Sequence, residues 1–304
     1  LKQKEDKGML VTSAALVQLR VGFSAAFNRG LGNVVTLADK IATTVPSSTA
    51  SNLYGWLGSI PGLRKWIGER EIQKISENDY SIKNEPFELT VGVKRTDIED
   101  DNYGVYTPFM EGMGESTALH KEQRVAETVK KGFTDLCYDG KPFYSKAHKV
   151  GETTYSNLSD AKLSADSFIA ARTTMMSLKN DQGQPLNLVP DTLLVPPALE
   201  QEARMILEAD LINGTTNINK GLAKVEVWTE LADQPTQWHL LCTKRSLKPF
   251  IFQEREKAKF VAMTKETDEN VFMRDEYLYG VNARDGVGYG FWQMAYGSTG
   301  TTAG

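Results

Sequence analysis

Phe87-Glu-Leu-Thr-Val-Gly-Val-Lys94 and Ser116-Thr-Ala-Leu-His-Lys-Glu-Gln-Arg-Val-Ala-Glu-Thr-Val-Lys-Lys-Gly-Phe-Thr-Asp-Leu136 are the stretches whose periods decide the fold. In the first, Phe87, Leu89, Val91 and Val93 alternate with Glu88, Thr90, Gly92 and Lys94, the period of a half-buried strand. Glu71–Ile75 reads as a strand before it, Glu77-Asn-Asp79 supplies turn chemistry, and Tyr80–Ile82 leads back. Residues 69–96 are therefore expected to form a long antiparallel hairpin. A lone hairpin is marginal in water, so this one should lean on another surface. In the second stretch Ala118, Leu119, Val125, Ala126, Val129, Phe133 and Leu136 recur every three or four residues. Lys121, Glu122, Arg124, Glu127, Lys130 and Lys131 fill the other face, which predicts an amphipathic helix capped by Ser116. It should end near the turn at Tyr138-Asp-Gly-Lys141.

Upstream, residues 10–50 read as an arm, with a short helix around Ala14–Phe27 and a Ser/Thr-rich run, Thr43–Ser51. Between arm and hairpin stands Tyr54-Gly-Trp-Leu-Gly-Ser-Ile-Pro-Gly-Leu-Arg-Lys-Trp-Ile-Gly68, with two Trp, four Gly and a Pro. It is too apolar for an idle loop and too Gly-rich for a stable helix. Burial by a neighbour is the expectation.

Downstream the pattern turns to mixed α/β. Ser164 is placed to cap a helix carrying Phe168, Ile169, Met175, Met176 and Leu178. Thr192–Val195 reads as a short buried strand, and Pro197 opens a helix with Leu199, Ala203, Ile206 and Leu207 on its apolar face. Val225, Val227 and His239–Cys242 mark further strands. In the last third Phe250–Phe252, Phe260–Met263, Val271–Met273, Tyr277–Tyr279 and Gly290–Ala295 are expected strands.

The 304 residues carry a net charge of −4, so the chain as a whole is not a nucleic-acid binder by charge. The first 50 residues differ: Lys2, Lys4, Lys7, Arg20, Arg29 and Lys40 outnumber Glu5, Asp6 and Asp39. A solvated N-terminus explains this; so does an arm near a polyanion. Two cysteines, Cys137 and Cys242, stand far apart, which argues against a disulfide scaffold and suits a reducing compartment. No apolar run reaches the roughly 18 residues of a membrane span, and the charged Leu1–Lys7 does not open a secretory signal.

A search for chemistry yields fragments only. Asp97, Glu99, Asp100 and Asp101 lack the glycine and ligand spacing of a calcium loop, and read as a charged turn or intersubunit surface. Cys137, Asp139 and His148 include zinc-preferred types, but one Cys and one His make an incomplete set, and a structural Cys is expected. His120, His148 and His239 are the only histidines, and no serine sits in a Gly-x-Ser-x-Gly setting. Gly286-x-Gly288-x-Gly290 leads into Phe291-Trp292, not into a helix that could hold a phosphate. Asn157-Leu-Ser159 and Asn213-Gly-Thr215 match a glycosylation pattern that a cytosolic product does not use. No catalytic, cofactor or metal residue is assigned; the residues describe an oligomer-forming α+β protein.

A resemblance carries the reading further. Met9-Leu-Val-Thr12, Asn52-Leu-Tyr-Gly-Trp-Leu-Gly58, Tyr80-Ser-Ile82, Asp97-Ile-Glu-Asp-Asp-Asn-Tyr-Gly104, Gly132-Phe-Thr134 and Cys137-Tyr-Asp-Gly-Lys141 resemble the major head subunit of Mu-like tailed phages. So do Lys248-Pro-Phe-Ile-Phe-Gln-Glu-Arg255, Val271-Phe-Met273 and Gly288-Tyr-Gly-Phe-Trp-Gln-Met294. The likeness implies the Hong Kong 97 type of α+β capsid fold, with an N-terminal arm (1–50), an extended loop with the Trp/Gly patch (51–101), a peripheral domain with a spine helix (102–150 and 245–284) and an axial domain (151–244 and 285–304). It implies a structural subunit, not an enzyme, forming pentamers and hexamers of an icosahedral shell around double-stranded DNA. Tyr54, Trp56, Leu57, Leu63, Trp66, Ile67, Ile72, Ile75, Tyr80, Ile82, Phe87 and Leu89 would then face neighbouring subunits. Lys2, Lys4, Lys7 and Arg20 would face DNA without sequence specificity. Portal, scaffold or decoration proteins are further implied partners, with assembly in the bacterial host cytoplasm. An encapsulin-like compartment and a soluble enzyme with an unrecognised site are the alternatives.

Overall fold

A computed structural model of the chain describes residues 13–55, 57, 79–99, 103–212 and 214–302. Its helices are α1 (Ser13–Asn33), α2 (Ala38–Ile41), α3 (Arg95–Glu99), α4 (Tyr103–Lys131), α5 (Ala165–Met176), α6 (Glu200–Leu207) and α7 (Glu269–Arg274). The chain divides into two units. The first takes the described parts of 1–36, 84–121 and 254–285; the second takes those of 37–83, 122–253 and 286–304. This division falls inside α4 and inside the strands Phe250–Met263 and Glu276–Tyr289.

In the first unit the alternating strand is present as Glu85–Lys94, but its partner is far away in sequence. It pairs antiparallel with Glu276–Asp285, from Glu276 opposite Lys94 to Asp285 opposite Glu85. Of the hairpin expected over 69–96, the first strand, Glu71–Ile75, and most of the turn lie outside the described residues. In sheet order the strands run Ala42–Pro46, Phe250–Met263, Glu276–Tyr289 and Glu85–Lys94. The expected strands at 250–252 and 260–263 are thus one continuous strand, while Tyr277–Tyr279 opens another of 14 residues. Val271–Met273 is a helical turn, not a strand, because α7 joins these two long strands. Asn270 braces that junction, its Nδ2 donating to Met263 O and Glu276 O at 3.1 and 2.7 Å.

Helix α4 is 29 residues long and begins 13 residues before the expected cap Ser116. Gly104, Pro108, Gly112 and Gly114 hide its first half, since each lowers intrinsic helix propensity. Packing against α1 explains the glycine at 114. A Cβ there would sit 2.1 Å from Phe27 O, and one on Gly30 would sit 1.9 Å from Glu111 O. The two helices therefore touch backbone to backbone. Beneath them Phe23, Phe27, Met110, Met113, Tyr277 and Tyr279 form the apolar centre of this unit. Phe23 meets Tyr279 edge-on with centroids 5.1 Å apart.

The second unit is built on a mixed five-stranded sheet, in the order Lys224–Val227, Thr192–Val195, Trp238–Leu241, Ala295–Thr302, Leu158–Ala161. Thr192–Val195 and Trp238–Leu241 are buried at every position, which is why both read as short apolar runs without alternation. Ala295–Thr302 pairs antiparallel with Trp238–Leu241 and parallel with Leu158–Ala161. The strand expected at Gly290–Ala295 begins only at Ala295, after a 3-10 turn at Trp292–Met294. Ser164 caps α5 as expected: its Oγ accepts Ser167 N at 3.1 Å, and Ser167 Oγ accepts Ser164 N at 2.9 Å. Pro197 lies in a 3-10 turn just before α6. The Ser/Thr-rich run of the arm contains the strand Ala42–Pro46, which borders Phe250–Met263 in the four-stranded sheet. No helix of the described residues is long and apolar enough to cross a membrane.

The helix contact yields a sign test. Alanine normally favours a helix interior over glycine by about 1 kcal/mol. Gly112→Ala, with open space around its Cβ, should raise the melting temperature. Gly114→Ala should lower it, costing about 1–3 kcal/mol for a forced shift of packed backbone. Thermal denaturation followed by circular dichroism measures both.

Candidate assembly surfaces and buried polar anchors

The strands Ser51–Leu53 and Ser81–Lys83 pair antiparallel, and Tyr54 N donates to Tyr80 O at 2.8 Å. The residues on either side of the undescribed stretch 58–78 are thus held side by side in the second unit. Around that strand pair, three residues expected at a subunit interface are covered by their own chain. Tyr54, Leu57 and Ile82 are buried in the second unit's core. Tyr54 Oη donates to Gln253 Oε1 at 2.9 Å, and Gln253 Nε2 donates to Ile82 O at 3.0 Å. These three side chains are therefore covered within the subunit, contrary to the interface expectation, and the Tyr54 hydroxyl and the Ile82 carbonyl are both tied to Gln253 of the strand Phe250–Met263. Tyr80 is half-buried, its hydroxyl accepting Tyr289 N at 2.7 Å, and burial raises its pKa. Phe87 lies half-buried over the His120 ring at 4.3 Å, and Leu89 is exposed. Trp56, Leu63, Trp66, Ile67, Ile72 and Ile75 lie outside the described residues, as do Lys2, Lys4 and Lys7. Arg20 is exposed on α1. Asp97, from the acidic cluster, accepts the Tyr106 hydroxyl at 2.5 Å.

The most exposed apolar pair of the first unit escaped the sequence reading. Phe272 is 82% and Met273 69% exposed at the turn between the two long strands. Taken as a strand, Val271–Met273 suggested one inward face; on a helical turn Val271 points in while its two neighbours point out. Val105 and Phe109 on α4, and Val17 and Val21 on α1, are exposed as well. Such surface is what an assembling subunit leaves for its neighbours.

Polar groups in the second unit act as internal anchors. Glu122 is buried, and its carboxylate accepts Leu37 N at 3.1 Å, Ala38 N at 2.8 Å and the indole N–H of Trp228. Asn157, which matched a glycosylation pattern, is buried. Its Oδ1 accepts Ser145 N at 2.8 Å, and its Nδ2 serves Phe143 O, Ala295 O and Trp292 O at 2.8–3.3 Å. His239 is fully buried in the central strand beside Tyr144 Oη at 3.0 Å, and desolvation pushes its pKa down to about 3. Cys137, Asp139 and His148, which spacing alone left incomplete, come together. Asp139 Oδ1 accepts the Cys137 thiol at 3.2 Å, and Asp139 Oδ2 lies 2.6 Å from His148 Nδ1. Burial would raise the Asp139 pKa, but the hydrogen bonds from His148 and Cys137 outweigh it and hold the carboxyl below its ordinary range. Burial pushes the Cys137 thiol up.

The first unit, long strands under a helix pair, and the second, built on a mixed sheet, belong to the tailed-phage capsid fold of the Hong Kong 97 type, as the likeness to solved phage capsids shows. The comparisons specify the kind. The chain belongs to the family described as Mu-like prophage major head subunit gpT, whose model matches residues 16–162, 155–231 and 226–303. It is 35% identical over 287 residues to the major capsid protein of Escherichia phage Mu, covering 94% of this chain and 74% of that protein. It resembles the subunit in the procapsid of bacteriophage JBD30 at 37% identity and a TM-score of 0.62, over 95% of this chain and 76% of that one. The JBD30 capsid decorated with minor capsid protein trimers matches at 29% identity and a TM-score of 0.57, over 73% of this chain and 100% of that one. The protein is a major capsid subunit, a structural protein of the virion shell and not an enzyme.

Two anchors can be tested. Glu122→Ala should leave two backbone N–H groups and an indole N–H unsatisfied in the core, costing about 1–3 kcal/mol. Glu122→Gln, which keeps one acceptor oxygen, should cost less in urea denaturation. For His239 the folded pKa lies below the unfolded value of about 6.5, so below that pH the unfolded chain binds a proton that the folded one refuses. Stability should fall as pH drops from about 6.5 toward 3, by about 1.4 kcal/mol per pH unit from this group. Denaturation midpoints across that range should depend less on pH in His239→Gln.

Proposed function

We propose that the subunit closes its shell by laying the segment between Leu57 and Asp79 across a neighbouring copy, with the α1 arm on the inner, DNA-facing side. The supporting observation is the paired base formed by Ser51–Leu53 and Ser81–Lys83. The sequence between these strands carries Leu63, Trp66, Ile67, Ile72 and Ile75. Trp56, next to the buried Leu57, belongs to the same surface. Leu89 and Phe87, on the strand that returns from it, extend the contact. A specific interface buries on the order of 1,600 Å² in total, and a shell subunit must make several. The exposed Phe272–Met273 turn, Val105 and Phe109 supply further apolar area.

Pentamers and hexamers of the subunit would then enclose double-stranded DNA, assembled in the host cytoplasm with portal and scaffold partners. Minor capsid proteins of the kind that decorate the JBD30 capsid would bind the outside. Lys2, Lys4, Lys7 and Arg20 would contact phosphates without sequence readout. Arg29 contributes less, since it pairs with Glu111 at 3.5 Å.

Negative-stain microscopy of the expressed full chain should show closed particles. Replacing residues 59–78 with a short Gly-Ser linker spares the strand pair at the base and the sheet strand Glu85–Lys94. That variant should keep the wild-type circular dichroism spectrum and form no closed shells; normal particles from it would sink the assignment. Nuclease-resistant DNA inside particles from infected or induced cells separates a genome shell from an encapsulin-like compartment.

A further inference from the structure

We propose that Cys137, Asp139 and His148 form a zinc-binding site. Among the described residues, one potential ligand atom from each lies within 4.8 Å of the other two. They supply a thiol, a carboxylate and an imidazole, the donor set that a borderline-soft divalent cation accepts. The surrounding structure fixes each donor. Cys137 and Asp139 sit in a tight turn closed by Cys137 N to Lys141 O at 2.8 Å and Gly140 N to Cys137 O at 3.0 Å. Gly140 there has φ +73°, open to glycine without strain. His148 starts the strand His148–Val150, and its ring stacks on Trp292 with centroids 4.2 Å apart and planes 5° from parallel.

The histidine geometry points to a cation. His148 Nε2 lies 3.2 Å from Phe143 O, a pure acceptor. A metal-bound histidine is held this way, with its distal N–H donated to a backbone carbonyl. Nδ1 lies 2.6 Å from Asp139 Oδ2, so both ring nitrogens face acceptors. Something positive must lie between Nδ1 and Oδ2, a proton or a metal ion. Zinc satisfies the charge: it displaces the thiol proton, and the thiolate, carboxylate and neutral imidazole around Zn²⁺ sum to zero.

Room is adequate as well. Zinc bonds of about 2.0–2.3 Å imply ligand separations of about 3.3–3.8 Å in a tetrahedron, so the cluster must open by about 1 Å or less. Asp139 is the donor with solvent access, its side chain 18% exposed against 0% for His148. Such an ion would pin the turn after α4 to the strand at 148–150 within one unit of the subunit.

The test uses the full-length chain and does not depend on shell formation. Protein purified without chelators should carry about one zinc per chain by mass spectrometry of the metal. Metal-free protein titrated with Co²⁺ should develop a near-ultraviolet thiolate-to-cobalt band. Cys242→Ser should retain that band, and Cys137→Ser should lose it while circular dichroism shows it folded. Should Cys137→Ser fail to fold, His148→Ala or the wild-type zinc content decides instead. Folded wild-type protein with neither zinc nor the cobalt band overturns the proposal, leaving a proton-bridged cluster. A band that persists without Cys137 overturns it too.

Discussion

The second unit turns on the buried carboxylate of Glu122. A charge removed from water is tolerated only when hydrogen bonds replace its hydration, and Glu122 receives them from Leu37 N, Ala38 N and the Trp228 indole. Its position on α4 thereby fixes where the chain re-enters after the arm and where the loop before Trp238–Leu241 must lie. The two amides open α2, so the negative charge also meets the positive end of that short helix. Core packing follows from this seat: Val125, Ala126 and Val129, on the same helix, are buried in the same core.

The first unit relies on contact where side chains are missing. Gly30 and Gly114 let α1 and α4 approach until backbone touches backbone, and the aromatic layer beneath is arranged around that distance. The strand Glu85–Lys94 takes the sheet's edge, with ten residues in register along its partner. Apolar groups such as Phe272 and Met273 are left exposed among the described residues.

Titratable groups that might have served chemistry serve architecture. His239 is held neutral inside the central strand, and Asn157 spends its amide on four backbone groups. Cys137, Asp139 and His148 face inward to one another. These groups specify which loops meet beneath the sheet, and that agrees with a subunit whose task is to hold shape.

Local signals were legible without coordinates. The Ser164 cap, the apolar runs at 192–195 and 238–241, the period of 87–93 and the second half of α4 each follow from interactions within a few residues, so propensity and pattern expose them. Family strings scattered from Met9 to Met294 carried the rest of the identification. Pairing partners were not legible. Nothing near Phe87 says that it lies opposite Ala283, because strand pairing across 196 residues is selected by the whole core. The start of α4 was hidden for the same reason, since glycines that weaken an isolated helix strengthen a packed one. Tertiary structure also decided the fate of Tyr54, Leu57 and Ile82: apolar residues want cover, and only the fold shows whether it comes from the same chain or the next. Sequence by itself determined the periods, the caps and the membership in a capsid family; the closing of distant segments, and the meeting of Cys137 with His148, required three dimensions.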